Sequence, residues 1–210
     1  MIANVVCFDI GGVLVRIRHT WRDVLAAVDL VPTWSEPRPH ASDPVLCAYQ
    51  DGTLQEAEYL DALSAHLGIE RPQARRAHDA ILDADYPGAF DLVRRLRREG
   101  VGTACLSNTN ALHWERLLSP DHYPAVASLD RHFSSFEIGA NKPDEAAFRT
   151  VAEAYPEARV VFFDDALANV EAARRFGWDA YRVDPEGDPA EFMAGVLGSH
   201  GLLRAHLVAA

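Results

Sequence analysis

Acidic and polar side chains end several short hydrophobic runs of this chain. Asp9 follows "VVCF", Ser107 and Asn108 end "TACLSN", and Asp164 and Asp165 end "VVFFDD". If these runs are parallel strands, the polar residues meet at the carboxyl edge of one sheet, where such sheets bind ligands. Carboxylates crowded together repel one another unless a cation lies between them. Oxygen ligands without clustered imidazoles or thiolates favour Mg²⁺, so the pattern predicts a magnesium site.

Lys142 supplies a positive charge to the same set. It precedes Pro143 in "GANKPDEAAF", and a proline suits the first position of a helix with acids in its first turn. Taken singly, Ser107 and Lys142 favour ordinary structural roles, and Asp164 with Asp165 could simply cap the following helix. Taken together, the acids, the hydroxyl and the ammonium predict one reactive crevice.

The elements around these residues alternate between strands and helices. Strand patterns cover residues 4–9, 101–108, 158–165 and 179–183, and a short strand is possible within 131–139; helix patterns cover 87–100, 143–155 and 166–177. This order predicts an α/β fold, a three-layer doubly wound parallel sheet. Residues 16–86 show only helical patterns. They predict a helical cap inserted into a core formed by residues 1–15 and 87–210.

Within residues 16–86, local sequence signals indicate where one helix begins and ends and where the chain is irregular. In residues 51–69, Thr53 and Glu56 fit a capping box and Gly68 fits the helix end. Residues 31–44 contain four prolines and are expected to be irregular.

The composition limits the classes of binding partner and the cellular compartment that we expect for this chain. The net charge of −11 and pI of about 5.2 argue against nucleic acid, which needs a basic face. No run approaches the ~18 apolar residues of a membrane span, so no membrane partner is expected. Three cysteines without paired spacing, and a first apolar run that ends on Asp9, predict a cytoplasmic protein. Either a monomer or a homodimer fits the sequence.

Four motifs give the chain a family resemblance. "FDIGGVL", "LSN", "NKP" and "FFDDALANVEAA" resemble the motifs of haloacid dehalogenase superfamily phosphohydrolases. "LSNTNALHW", "DHYP" and "IGANKPDEAAF" look closer to the α-D-glucose-1-phosphate phosphatase-like group, which has a helical cap after the first strand. The resemblance spans nearly all of residues 87–183 and is weaker in the cap.

The resemblance implies roles for the site residues. Asp9 would be the nucleophile that forms an aspartyl-phosphate, and it would also bind Mg²⁺. Asp165 and the backbone carbonyl of Gly11 would be metal ligands, while Asp164 would act mainly through water.

The remaining positions would handle the phosphoryl group. Ser107, the amide of Asn108 and Gly12 would contact its oxygens, and Lys142 would offset charge beside the nucleophile. Both glycines would let the backbone approach metal and phosphate without a Cβ in the way.

Gly11 departs from the family pattern. Most phosphatases of the superfamily carry an aspartate two residues after the nucleophile, which protonates the leaving oxygen and later activates water. Here water or a cap residue could replace it, the leaving group could need little help, or the protein could be a catalytically silent phosphate-binding or interaction protein. The resembled group tolerates Gly at this position, which favours an active enzyme.

The expected function is Mg²⁺-dependent hydrolysis of a small phosphorylated metabolite, with a sugar phosphate as one candidate. A 2-haloacid dehalogenase is a further alternative. It is disfavoured because that branch does not need the acidic pair at Asp164 and Asp165.

Overall fold

A computed structural model describes residues 3–50 and 52–204. Seven strands are found in this part of the chain: β1 Asn4–Phe8, β2 Val15–Ile17, β3 Leu82–Asp85, β4 Gly102–Ser107, β5 Arg131–Ser134, β6 Arg159–Asp164 and β7 Asp179–Arg182. Five of them form one parallel sheet in the order β5-β4-β1-β6-β7. The order steps outward from β1 in both directions, as expected for a doubly wound sheet.

Helices cover both faces of this sheet. The helices are α1 Trp21–Ala26, α2 Pro44–Gln50, α3 Glu56–Leu67, α4 Arg71–Asp79, α5 Ala89–Arg98, α6 Ala111–Leu117, α7 Pro124–Ala127, α8 Ser135–Ile138, α9 Glu145–Ala154, α10 Leu167–Phe176 and α11 Pro189–Ser199. A single turn of 3-10 helix spans His40–Ser42. The predicted three-layer α/β class is confirmed.

The sheet separates two hydrophobic clusters because side chains alternate along each strand. Val6 and Phe8 of β1 pack on the side of α5 and α11, whereas Val5 and Cys7 pack on the side of α9 and α10. Cys105 belongs to the first cluster and Cys7 to the second, so they lie on opposite faces. Both are free, buried thiols that pack as small core residues.

The helices α1–α4 form a helical insertion between β2 and β3. It has its own hydrophobic cluster, with Trp21, Tyr59 and Leu63 fully buried. β2 and β3 pair antiparallel, with Ile17 opposite Leu82. The prediction of helices alone in residues 16–86 is therefore wrong at both ends. Strands of three and four residues are too short for their periodicity to be distinguished from that of a helix end.

The helix boundaries in the insertion also differ from the prediction. α3 begins at Glu56, and its capping box is formed by Gln55 and Glu58, not by Thr53 and Glu56. Gly68 ends the helix in the left-handed conformation, as predicted. Residue 51, the predicted start, lies outside the described residues.

The proline-rich loop is shorter than predicted because α2 begins at Pro44. The Asp43 carboxylate accepts from the backbone N–H of Val45 and of Leu46, which satisfies the free donors of the first turn. Across residues 3–50 and 52–204, no helix has both the length and the apolar character needed to cross a membrane.

Candidate active site

The strand ends bring the predicted acids together. Asp9 directly follows β1, and its backbone N–H donates to the carbonyl of Phe163 in β6 at 2.8 Å. Asp164 ends β6 and Asp165 follows it. One carboxylate oxygen from each of the three acids lies within 4.8 Å of the other two. Ser107 ends the neighbouring strand β4 and completes the same edge of the sheet.

Lys142 bridges two of these carboxylates. Its Nζ lies 2.8 Å from Asp9 Oδ1 and 2.7 Å from Asp164 Oδ2, and its side chain is 1% exposed. Burial opposes the charged ammonium, but the two carboxylates outweigh it and raise the pKa of Lys142 above its ordinary value. Lys142 is thus held protonated between the two acids. It lies three residues before α9, whose first residue is Glu145 rather than Pro143.

Asn108 holds the backbone of Lys142. Its side-chain Nδ2 donates to the carbonyl of Lys142, and its Oδ1 accepts from the N–H of Lys142, both at 2.8 Å. The sequence interpretation used only the backbone amide of Asn108. No pattern in the sequence indicates this contact, because it joins positions 34 residues apart.

Asp164 is saturated by neighbouring donors. Besides Lys142, its oxygens accept from the N–H of Ala166 at 2.9 Å and from Asn169 Nδ2 at 3.0 and 3.1 Å. Asp164 is thus a member of the acidic cluster, but the N-cap of α10 is Ala166 and not one of the two acids that the capping interpretation considered. Asn169 was not among the predicted site residues, although its place in the first turn of α10 is a usable signal.

The two glycines after Asp9 have different reasons to be glycine. Gly12 adopts φ +73°, and a Cβ there would lie 2.8 Å from Asp165 Oδ2. Its N–H donates to the carbonyl of Val15, so its expected contact with phosphate stays a prediction. Gly11 lies outside the left-handed region, and a Cβ there would meet only Ile17 methyl carbons at 3.4 and 3.5 Å. The protein around Gly11 therefore leaves space for a Cβ, and the expectation that Gly11 lets the backbone approach metal and phosphate stays a prediction.

The charges of the site suit a divalent cation. Burial raises the pKa of Asp9 to about 7, with Lys142 opposing and Asp164 and Asp165 reinforcing the rise. Burial and the neighbouring Asp164 also raise the pKa of Asp165. Three clustered carboxylates and one ammonium leave an excess of negative charge. Asp9 and Asp165 present oxygen atoms of the kind that Mg²⁺ prefers, so the residues present fit this metal.

A small cavity lies beside Ile10 and Gly11, the two residues that follow Asp9. Gly11, Ser107 and Asn108 line it from the strand ends, and residues of the helical insertion line its other side. The strand ends and the insertion thus enclose a space next to the predicted nucleophile.

The structure thus combines a doubly wound sheet with an acid after β1, two acids at the end of β6 and a lysine that bridges two of these acids. The model of haloacid dehalogenase-like hydrolases matches residues 3–177. The chain belongs to this family of hydrolases, as the motifs indicated.

Individual relatives agree with this assignment. A phosphatase of Mycobacterium tuberculosis (strain CDC 1551 / Oshkosh), MT3486, is 32% identical over 163 residues, covering 73% of this chain and 74% of the relative. The structure of a haloacid dehalogenase (HAD)-like hydrolase from Porphyromonas gingivalis aligns over 94% of this chain and 98% of that hydrolase, with 24% identity and a TM-score of 0.72. A HAD-family enzyme from Bacteroides thetaiotaomicron was solved in complex with magnesium and inorganic phosphate. Its alignment covers 90% of this chain and 98% of that enzyme, with 21% identity and a TM-score of 0.70. At these identities the two structures show a shared fold.

Proposed function

We propose that this protein is a Mg²⁺-dependent phosphatase that hydrolyses a small phosphorylated metabolite, with sugar phosphates as one candidate class. The observation that carries the proposal is the bridge from Lys142 to Asp9 and Asp164, beside an Asp165 whose carboxylate is left for a cation. The relationship to a phosphatase and to a magnesium- and phosphate-bound enzyme supports it.

Asp9 is the proposed nucleophile. A carboxylate oxygen of Asp9 attacks phosphorus, the bond from phosphorus to the ester oxygen breaks, and the released alkoxide takes a proton from water. Water then attacks the phosphorus of the aspartyl-phosphate, the bond to Asp9 breaks, and inorganic phosphate leaves. Lys142 donates to Asp9 and holds it in one orientation. In this proposal Ser107 and the backbone amide of Asn108 would contact phosphoryl oxygens.

The metal would be held by Asp9, Asp165 and the carbonyl of Gly11. Asp164, whose oxygens are already occupied by donors, would act through water and by fixing Lys142. Bound Mg²⁺ would neutralise charge on the phosphoryl oxygens. A cation beside Asp9 and Asp165 also favours their ionised forms, which the nucleophile requires.

The helical insertion is the proposed cap. In this proposal residues 1–15 and 87–210 form the catalytic core and residues 16–86 form the cap. The cavity between the strand ends and the insertion supports this division. A cap over the strand ends would exclude water and strengthen the electrostatic contacts within the site.

Phosphate release from p-nitrophenyl phosphate tests the proposal. Wild type is expected to release phosphate with Mg²⁺ and to stop with EDTA, and Asp9→Asn is expected to keep its fold and lose turnover. Equal rates for wild type and Asp9→Asn would reject the covalent mechanism. No turnover by wild type would favour the catalytically silent alternative, and EDTA-resistant halide release from 2-chloropropionate would favour a dehalogenase.

A further inference from the structure

The cavity beside Gly11 is small and has both apolar and polar walls. Its volume is about 100 Å³, below the roughly 300–1,000 Å³ of common ligand pockets, so only part of a ligand enters it. Ser107, the proposed phosphoryl contact, lines it from the end of β4, and residues of the insertion line its other side. The further polar residues of the lining are His40, Gln50, Asn108, Thr109 and His113.

Three of these polar residues are already committed to the protein. Asn108 bonds both backbone groups of Lys142 through its side-chain amide. Both ring nitrogens of His113 lie within hydrogen-bond distance of protein atoms. His40 bonds the carbonyl of Arg18 through Nε2, and its Nδ1 is buried away from solvent. These three side chains therefore have little capacity left for a ligand.

Gln50 and Thr109 keep their side-chain polar groups free. Gln50 is the last residue of α2 and is half-buried, whereas Thr109 follows β4 by two residues and is 4% exposed. Within residues 3–50 and 52–204, neither the carboxamide nor the hydroxyl has a hydrogen-bond partner, and neither is closed off from solvent as His40 Nδ1 is. Polar groups in such places are normally bonded, so their free state indicates a ligand contact.

Ser135 holds Thr109 in place. The N–H of Thr109 donates to Ser135 Oγ at 3.1 Å, and Ser135 Oγ donates to the carbonyl of Thr109 at 3.3 Å. Because both backbone groups of Thr109 are bonded, its hydroxyl is left for the cavity in a fixed position. Thr109 belongs to the core and Gln50 to the insertion, so a ligand group bonded to both residues joins the two parts of the chain.

We propose that Gln50 and Thr109 form a pair that recognises a hydroxyl of the leaving group close to the phosphorylated carbon. The pair selects esters of an alcohol with a second, neighbouring hydroxyl over esters of simple alkyl alcohols. This assignment rests on the proposed phosphatase function and names residues that set its specificity.

The position of the recognised hydroxyl follows from the size of the cavity. Ser107 lines the same small space as Gln50 and Thr109, so the hydroxyl lies within a few bonds of the ester oxygen. A carboxamide and a hydroxyl each donate and accept, so the pair satisfies both the proton and the oxygen of that hydroxyl.

Two esters of equal carbon number test the pair: 2-hydroxypropyl phosphate and propyl phosphate. Wild type with Mg²⁺ is expected to prefer the hydroxylated ester. The ratio of the two kcat/KM values is expected to fall about fivefold in Gln50→Met and in Thr109→Val, the value of one hydrogen bond. Both substitutions remove hydrogen-bonding atoms at nearly constant size. The intrinsic difference in reactivity between the esters and the amount of folded protein both cancel in this comparison of ratios.

Two control variants accompany the pair. Thr109→Ser keeps the hydroxyl and is expected to keep the wild-type ratio. Thr33→Val, at an exposed threonine outside the cavity lining, should keep it as well. An unchanged ratio in either Gln50→Met or Thr109→Val, with turnover retained, would overturn the shared recognition and leave the phosphatase intact.

Binding measurements separate this assignment from the proposed function. Calorimetry with Asp9→Asn and Mg²⁺ gives dissociation constants for both esters without turnover, and adding Gln50→Met should lower the preference about fivefold. That loss of preference, found together with a wild type that turns over neither ester, would overturn the phosphatase and support the pair. Neither binding nor turnover of either ester would overturn both.

Discussion

Gly11 occupies the position where the family resemblance leads us to expect an acid, and the structure leaves room there for a Cβ. A Cβ would make only ordinary contacts with Ile17, and the backbone is not left-handed. Gly11→Asp is therefore expected to fold like wild type. A general acid typically contributes ~10²–10⁴-fold, most for strongly basic leaving groups. The variant should speed hydrolysis of alkyl phosphates more than that of aryl phosphates.

The measurement for Gly11→Asp is kcat/KM across esters of graded leaving-group pKa. Wild type is expected to show the steeper dependence, because it lacks an acid at residue 11. If the two dependences have equal slopes, another residue already protonates the leaving oxygen.

Asn108 is a positioning residue whose effect is exerted through Lys142. Asn108→Ala removes both hydrogen bonds to the Lys142 backbone, so Nζ loses its fixed place between Asp9 and Asp164. Misplacement by about 1 Å can cost ~10²-fold in rate, and we expect a fall of this order in kcat with a smaller change in KM. The control is Asn141→Ala, one residue from Lys142 with an exposed side chain.

A proportional loss of kcat and folded protein in Asn108→Ala would indicate a purely structural role. Two lost hydrogen bonds should lower the free energy of unfolding by about 2 kcal/mol. Kinetics at a temperature where circular dichroism shows the variant fully folded separate the two effects.

At the scale of elements, Asp85 joins β3 to α7. Its Oδ2 accepts from the N–H of Ala125 at 2.7 Å, while Oδ1 is buried without a partner in the described chain. Burial raises the pKa of Asp85 from 3.8 to about 6. Between these values the folded state binds more protons than the unfolded state, so the free energy of unfolding falls as pH rises through this window.

Asp85→Asn removes this pH-dependent cost. The free energy of unfolding of the variant minus that of wild type should increase from pH 4 to pH 7. Only wild type must keep a buried charge at the higher pH. Urea unfolding at both pH values measures the change. Asp9 titrates in both proteins and cancels in the comparison. A difference that does not vary with pH would contradict the assignment.

Some strands and helices could be predicted from the sequence alone, and others could not. The strands around Asp9, Ser107 and Asp164 were predictable because a short apolar run that ends in polar residues has few alternatives. β2 and β3 were missed because three or four residues show no clear period. α2 was missed because prolines dominate the preceding loop, and its cap, Asp43, was not recognised.

The site residues could also be predicted only in part. Residues that directly follow strands were found, since strand ends meet at one edge of a parallel sheet. The side-chain contact of Asn108 with Lys142 depends on tertiary packing between distant segments. No local pattern records such contacts.

At the scale of the whole molecule, a buried polar chain ties the insertion to the core. Tyr59 bonds His78 Nδ1 at 2.7 Å, His78 Nε2 lies 3.2 Å from Asn110 Oδ1, and the rings of His78 and His113 stack at 3.9 Å. Burial lowers the pKa of both histidines, so the contact joins neutral groups. The insertion is thereby fixed beside the strand ends without adding charge near the acids.

Metal binding should appear in the stability of the whole chain. A ligand at 100 times its dissociation constant stabilises the folded state by about 2.7 kcal/mol, which raises Tm by about 5–10 °C in a chain of this size. Wild type is expected to show such a rise with saturating Mg²⁺ at pH 8, relative to NaCl of equal ionic strength. Asp165→Asn should lose the rise, because the substitution removes a proposed ligand.

Without Mg²⁺, the acid variants should shift Tm in opposite directions. Asp165→Asn relieves repulsion within the cluster and should raise Tm, because burial and Asp164 already disfavour the charge of Asp165. Asp164→Asn should lower Tm, since the fully buried carboxylate pairs with Lys142 and accepts hydrogen bonds from Ala166 and Asn169. Asp121→Asn, at an exposed acid outside the cluster, serves as the control. An equal Mg²⁺-dependent rise in wild type and Asp165→Asn would place the cation elsewhere and remove Asp165 from the proposed metal ligands.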